Sequence, residues 1–208
     1  MEIYNWKTQE LIFESEHETM KETVEYAVKN RVSLQFADIE NQDLSNINLE
    51  SANLEHANLE HANLKYANLS NANLYYANLS SANIKYANLS SANLSNAILT
   101  NAILYITNLS RANLSSANLY FSRINNTNLS NANLQCVDLA SSEILNSDFS
   151  HANLEYADLT STEILNCNFT NANLSDTTIK YACINHVNFT NANLENAYLY
   201  QTNLSDMI

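Results

Sequence analysis

From Leu34 to Leu204 an apolar residue returns at every fifth position without one slip, and this period constrains the fold more than any other property of the chain. The 35 positions of the register hold Leu in 25 cases, Ile in 7 and Phe in 3, and no other residue type. Two residues before each stands Ala in 21 of the 35, and otherwise mostly another small or β-branched residue such as Thr107, Ser122, Val137, Ser147 or Cys167. A period of five fits neither the roughly 3.6 of a helix nor the 2.0 of a strand, so the chain must turn once per repeat. The central residue is then a buried one, and the position two before it is cramped.

A second period overlies the first. Phe149, Phe169 and Phe189 lie 20 residues apart, as do Ile124, Ile144, Ile164 and Ile184. The segments Glu143-Ile144-Leu145-Asn146 and Glu163-Ile164-Leu165-Asn166 repeat at the same offset. A bulky residue is expected above its like, so the sequence carries a 20-residue layer as well as a five-residue face. The motif of a small residue, Asn or Asp, then Leu or Phe, then two variable positions resembles the pentapeptide-repeat family, and it covers about 170 of the 208 residues with no insertion. The resemblance implies an all-β fold, a right-handed quadrilateral β-helix of about 8.75 coils over residues 34–204. At roughly 4.8 Å per layer such a rod is about 40 Å long.

Corners of a β-helix often need the left-handed backbone that glycine supplies, yet the sequence contains no Gly and no Pro. It contains 37 Asn, and 12 of the 35 second variable positions, such as Asn71, Asn96 and Asn166, are Asn, which tolerates that conformation. Asn or Asp precedes the central residue in 26 of the 35 repeats, a spacing that suits hydrogen bonding to the nearby backbone. Ser95, a first variable position, reads as outward.

Residues 1–33 do not repeat. Ile3 to Trp6 and Leu11 to Phe13 flank a polar turn and read as a hairpin, while Thr19 and Glu22 form a capping box that opens a helix with Met20, Val24, Ala27 and Val28 as its apolar stripe. Asn30 is expected to end the helix in the left-handed conformation. Together they read as an N-terminal cap over the first coil, and residues 205–208 as a short tail. Tyr198, Tyr200, Met207 and Ile208 are candidates for an apolar homodimer contact at the C-terminal coil, an arrangement that the resemblance to gyrase-targeting pentapeptide proteins also implies.

Net charge is −13, with +2 over residues 101–137 and −8 over 138–208, which disfavours direct nucleic-acid binding. Asp138 and Asp158, and Glu143 and Glu163, are each 20 residues apart and form a candidate acidic face, readable as a solubilising surface or as an imitation of phosphate rows. Ile98, Ile103, Tyr105, Ile106, Leu145 and Leu165 fall on outward positions and make a candidate apolar stripe. Apolar runs are too short for a membrane span, the start lacks a signal peptide, and three cysteines without a CxxC suit the cytoplasm. His56, His61, His151 and His186 fall on different faces, so no catalytic, metal or cofactor site is expected. The leading reading is a non-enzymatic protein-binding or scaffold module. The resemblance allows a DNA-mimic modulator of a type II topoisomerase, although relatives of that kind tend to carry more central Phe and some carry loops; a purely structural spacer is the third reading.

Overall fold

Each five-residue repeat forms one side of a square coil, because its hydrogen bonds run to the coils above and below rather than along the chain. In the computed structural model, which describes residues 1–205, the Leu54 amide donates to the Asn73 carbonyl (2.8 Å) and that of His56 to Tyr75 (2.8 Å), while the Asn58 amide donates to Ala37 of the preceding coil (2.8 Å). Parallel bridges join residues 20 apart, from Asp38 with Asn58 to Thr178 with Tyr198. The result is a right-handed quadrilateral β-helix, a β-solenoid with a small N-terminal hairpin and helix. Four columns of central residues line its interior, and Leu54, Leu59, Leu64 and Leu69 of one coil are fully buried, as are the alanines between them. Each such leucine contributes ~1.5 to 3 kcal/mol by burial. On the fourth side the large residues stack as rings: Phe149 and Phe169 are 4.7 Å apart and 5° from parallel.

Most corners are four-residue turns closed by the next alanine, as where the Ala57 amide donates to the Leu54 carbonyl (3.0 Å) with His56 at φ 57°. This is the hydrogen bond and dihedral pattern of a type II turn. Every second variable position from Phe36 to Gln201 has φ between 50° and 62°. The expectation that Asn makes the corners possible is therefore too narrow: Tyr66, Ser81, Arg111, Cys136 and even Ile106 adopt the same conformation. Backbone hydrogen bonds on both sides of the corner impose it, and the side chain follows.

One side departs from this pattern. It carries six three-residue strands in parallel order: β3 (Ile103–Tyr105), β4 (Arg123–Asn125), β5 (Glu143–Leu145), β6 (Glu163–Leu165), β7 (Cys183–Asn185) and β8 (Asn203–Ser205). The small position after β3 and β4 is Thr rather than Ala, and the Thr127 hydroxyl donates to the Leu104 carbonyl of the preceding coil (2.7 Å, buried). Thr107 does the same to Ile84 (2.9 Å). From β3 onward no backbone bond closes this corner, so the strand extends, and at Leu104 and Ile124 a hydroxyl of the next layer, from Thr127 and Ser147, reaches the carbonyl.

The first coil is covered by β1 (Glu2–Tyr4), β2 (Leu11–Glu14) and helix α1 (Met20–Lys29). Strands β1 and β2 pair antiparallel, and the Asp38 amide donates to Tyr4 (2.8 Å), so the hairpin blunts the first open edge. Thr19 and Glu22 form the capping box. Val24 and Ala27 are buried and Met20 and Val28 pack partly. Asn30 is not left-handed (φ −90°, ψ 10°); Arg31 is (φ 58°), because the Val32 amide turns back to Ala27 (2.9 Å) one residue later. Trp6 anchors the cap through Nε1 to the His56 carbonyl (2.7 Å), beside a ring stack of Phe36, His56 and Tyr76.

Candidate functional site

Outward positions of a solenoid are set by register, so each exposed side chain has neighbours one layer above and below. On the side through Leu54 and Leu74 the position before the central residue is Asn in coil after coil. Asn73 Nδ2 donates to Asn53 Oδ1 (3.3 Å), Asn93 to Asn73 (3.1 Å) and Asn113 to Asn93 (3.3 Å), while each Oδ1 accepts the amide two residues on, as from Glu55 to Asn53 (3.2 Å). These ladders occupy the amide groups in structural bonds. Ser95, read from sequence as outward, is in fact buried, and its Oγ donates to Asn93 Oδ1 (2.7 Å).

The side that bears β3 to β8, here called the strand face, is different. Tyr105, Asn125, Leu145 and Leu165 lie in one register column, and Ile103, Arg123, Glu143 and Glu163 in the next. The apolar stripe is thus partly assembled. Ile103, Tyr105, Leu145 and Leu165 are half-buried on one face, with Asn125 interrupting their column. Ile98 pairs with Asn78 and Asn118 on the adjacent side, and Ile106 sits at the corner, 47% exposed. Its φ of 53° is a strained value for a β-branched residue. The positions below it in the corner column are Asn126, Asn146 and Asn166.

The candidate acidic face is likewise divided. Asp138 stacks with Asp158 on the side next to the strand face, and Glu143 with Glu163 on the strand face itself. Asp138 accepts the Ala140 amide (3.0 Å) and Asp158 that of Thr160 (2.8 Å), the same local bonds that Asn makes elsewhere. At the C-terminal end Tyr198 and Tyr200 are both exposed and stack 6.2 Å apart, with Lys180 Nζ 4.9 Å from the Tyr198 ring. Leu199, an inward position, is 40% exposed there. Met207 and Ile208 lie outside the described residues.

Sequence reasoning passed over a hollow of about 330 Å³ on the strand face, lined by Lys65, Lys85, Tyr86, Ile103, Tyr105 and Arg123 among others. Lys65 Nζ lies 5.0 Å from the Tyr66 ring and 5.6 Å from that of Tyr86, and those two rings stack at 4.8 Å. The signal was present as Lys65, Lys85 and Tyr105 at 20-residue spacing. Among the described residues no group of three or more metal-ligating side chains converges, and no helix is long and apolar enough to cross a membrane. Burial pushes the Cys167 thiol up to about 11, while Cys136 and Cys183 are exposed.

The sequence profile of pentapeptide repeats matches in eight copies, over 33–65, 62–101, 99–131, 132–171, 152–191 and 167–206. The chain belongs to the pentapeptide-repeat family. Among solved structures, this pentapeptide-repeat protein is similar to a trypsin-treated variant of QnrB1, a plasmid-mediated fluoroquinolone resistance protein, at 18% identity over 76% of this chain and 80% of that one, with a TM-score of 0.56. HetL, a pentapeptide-repeat protein involved in heterocyst differentiation regulation in the cyanobacterium Nostoc sp. strain PCC 7120, aligns at 23% identity over 92% and 97%, with a TM-score of 0.44. Rfr23 of the cyanobacterium Cyanothece 51142 is 32% identical over 46% and 63%, with a TM-score of 0.35. No curated protein matches the sequence.

Proposed function

We propose that the protein is a non-enzymatic binding or scaffold module that docks a protein partner on its strand face. The observation that carries this reading is the grouping of Ile103, Tyr105, Leu145 and Leu165 in adjoining columns of one flat face, while the side opposite is given over to Asn ladders. Apolar groups gathered on one side of a rigid rod mark a contact surface. The double variant Tyr105→Glu, Leu145→Glu should fold, since both side chains are outward, and should lose the partners that wild type retains from host lysate. Ser110→Glu, on the next side, should keep them. Equal retention by all three would overturn the reading.

A second reading is favoured by the two stacked acid pairs, Asp138 with Asp158 and Glu143 with Glu163, which present like charges about 4.8 Å apart as phosphate rows do. A gyrase supercoiling assay with and without a fluoroquinolone tests it. An unchanged result at tens of micromolar protein removes it. We further propose a homodimer through Tyr198 and Tyr200, where Leu199 is uncovered, and a cytoplasmic setting in which the three cysteines stay reduced. A monomer by light scattering across micromolar concentrations would refute the dimer.

A further inference from the structure

The protein has 22 acidic residues and 9 Lys plus Arg, so a place where three cations gather with one acid, Glu143, at its far end is informative. Three of the five Lys and Arg beyond residue 33 line the hollow: Lys65, Lys85 and Arg123. None of them is ion-paired; among the described residues the two ion pairs each join a histidine to the preceding glutamate. Between Lys85 and Arg123 along the rod lies the rung of β3, with Ile103 and Tyr105 half-buried in the floor. Tyr66, Tyr86 and the strained Ile106 form the adjacent ridge, each donating its amide to the next coil or stacking on its neighbour. A β-branched residue held exposed in the left-handed region beside a hollow is the kind of outlier from which function is inferred.

We propose that this hollow binds an extended acidic segment of a protein partner with the pattern acid, any, apolar, any, acid. The inference rests on the docking reading of the strand face and names the chemistry it selects. Lys65 to Arg123 spans three layers, about 14 Å at ~4.8 Å each. In an extended chain residues i, i+2 and i+4 share one side and span about 14 Å at ~3.4 Å per residue. The first acid lies between Lys65 and Lys85, the apolar side chain on Ile103 and Tyr105, and the second acid against Arg123. The cation–π contacts of Lys65 with Tyr66 and Tyr86 hold its ammonium at the rim before a ligand arrives. A nucleic acid fits poorly, because a phosphate row continuing along the face meets Glu143 directly after Arg123, then Glu163, and at the other end Asp43.

The test uses fluorescence anisotropy with the full-length protein and a fluorescein-labelled heptapeptide carrying glutamate two positions before and two after a central leucine. The control peptide has the same composition with both glutamates directly flanking the leucine, which turns them to the opposite side of an extended chain. The first peptide should saturate the protein and bind about tenfold more tightly than the control, with affinity falling as salt rises. Lys65→Glu with Lys85→Glu, and Arg123→Glu separately, should each weaken it at least tenfold with circular dichroism and melting unchanged. Equal binding of both peptides, indifference to the charge reversals, or displacement of the peptide by inorganic phosphate at the same concentration would overturn the proposal. A protein that ignores the peptide yet still loses its partners on Tyr105→Glu, Leu145→Glu refutes the motif alone. Partner retention by that double variant refutes the docking face itself.

Discussion

At the scale of single residues, the corner column shows what the backbone demands and what the side chain contributes. Ile106 is the β-branched residue among the left-handed corners, and straining such a residue costs on the order of 1–2 kcal/mol. Ile106→Asn, which copies Asn126, Asn146 and Asn166 below it, should raise the melting temperature by about 2–4 °C, as ~1 kcal/mol does in a domain of this size. A lower melting temperature would mean that the isoleucine packs more than it strains. The 20-residue recurrence of those asparagines was legible in the sequence, but a left-handed isoleucine was not, because nothing in its own chemistry asks for that conformation. Cys167 offers a second check. Its thiol, pushed to about 11 by burial, has less thiolate at pH 8 than an ordinary cysteine, whereas Cys136 and Cys183 are exposed. Two of the three thiols should therefore react promptly with a disulfide reagent, and the third only on denaturation. Three fast thiols would place Cys167 outside the core.

At the scale of the coil, the five-residue register made the four central columns and the alanine columns readable from sequence, and the same register predicts the cost of disturbing them. Leu94→Asp should abolish folding by burying an unpaired charge, and Ala92→Leu should be damaging by overpacking a position that is 1% exposed. Ser110→Lys should leave circular dichroism unchanged; unchanged spectra in all three would invert the assignment of inside and outside. What the register did not reveal is the strand face. Thr107, Thr127, Ser147 and Cys167 were read only as small, yet their side chains reach the carbonyls of the layer below. The signal was their 20-residue spacing, and for Thr127, Ser147 and Cys167 its meaning required knowing that the corner below lacks its own closing bond. Thr127→Val keeps the shape and removes the donor to Leu104, which should cost about 1–3 kcal/mol in chemical denaturation. No loss would show that the open corner is satisfied by other means.

At the scale of the whole molecule, each coil contacts only its neighbours, so order is propagated layer by layer from the capped end toward the last described coil, where Leu199 is already 40% exposed. That geometry leaves function to the outer faces. The apolar and acidic candidates lie at outward positions, but their distribution over sides depends on counting from the corner as well as along the chain, and Ile98 shows how a five-residue shift moves a side chain to another face. The cations escaped notice because an overall charge of −13 hides three of them on one face. The claim that the strand face is the contact surface is tested most directly by placing one photo-crosslinking amino acid at Tyr105, at Ser110 or at Asn113 and irradiating in the host cell. A discrete adduct with another protein should form from Tyr105 and not from Ser110 or Asn113. Equal adducts from the three positions, or none from Tyr105, would contradict it.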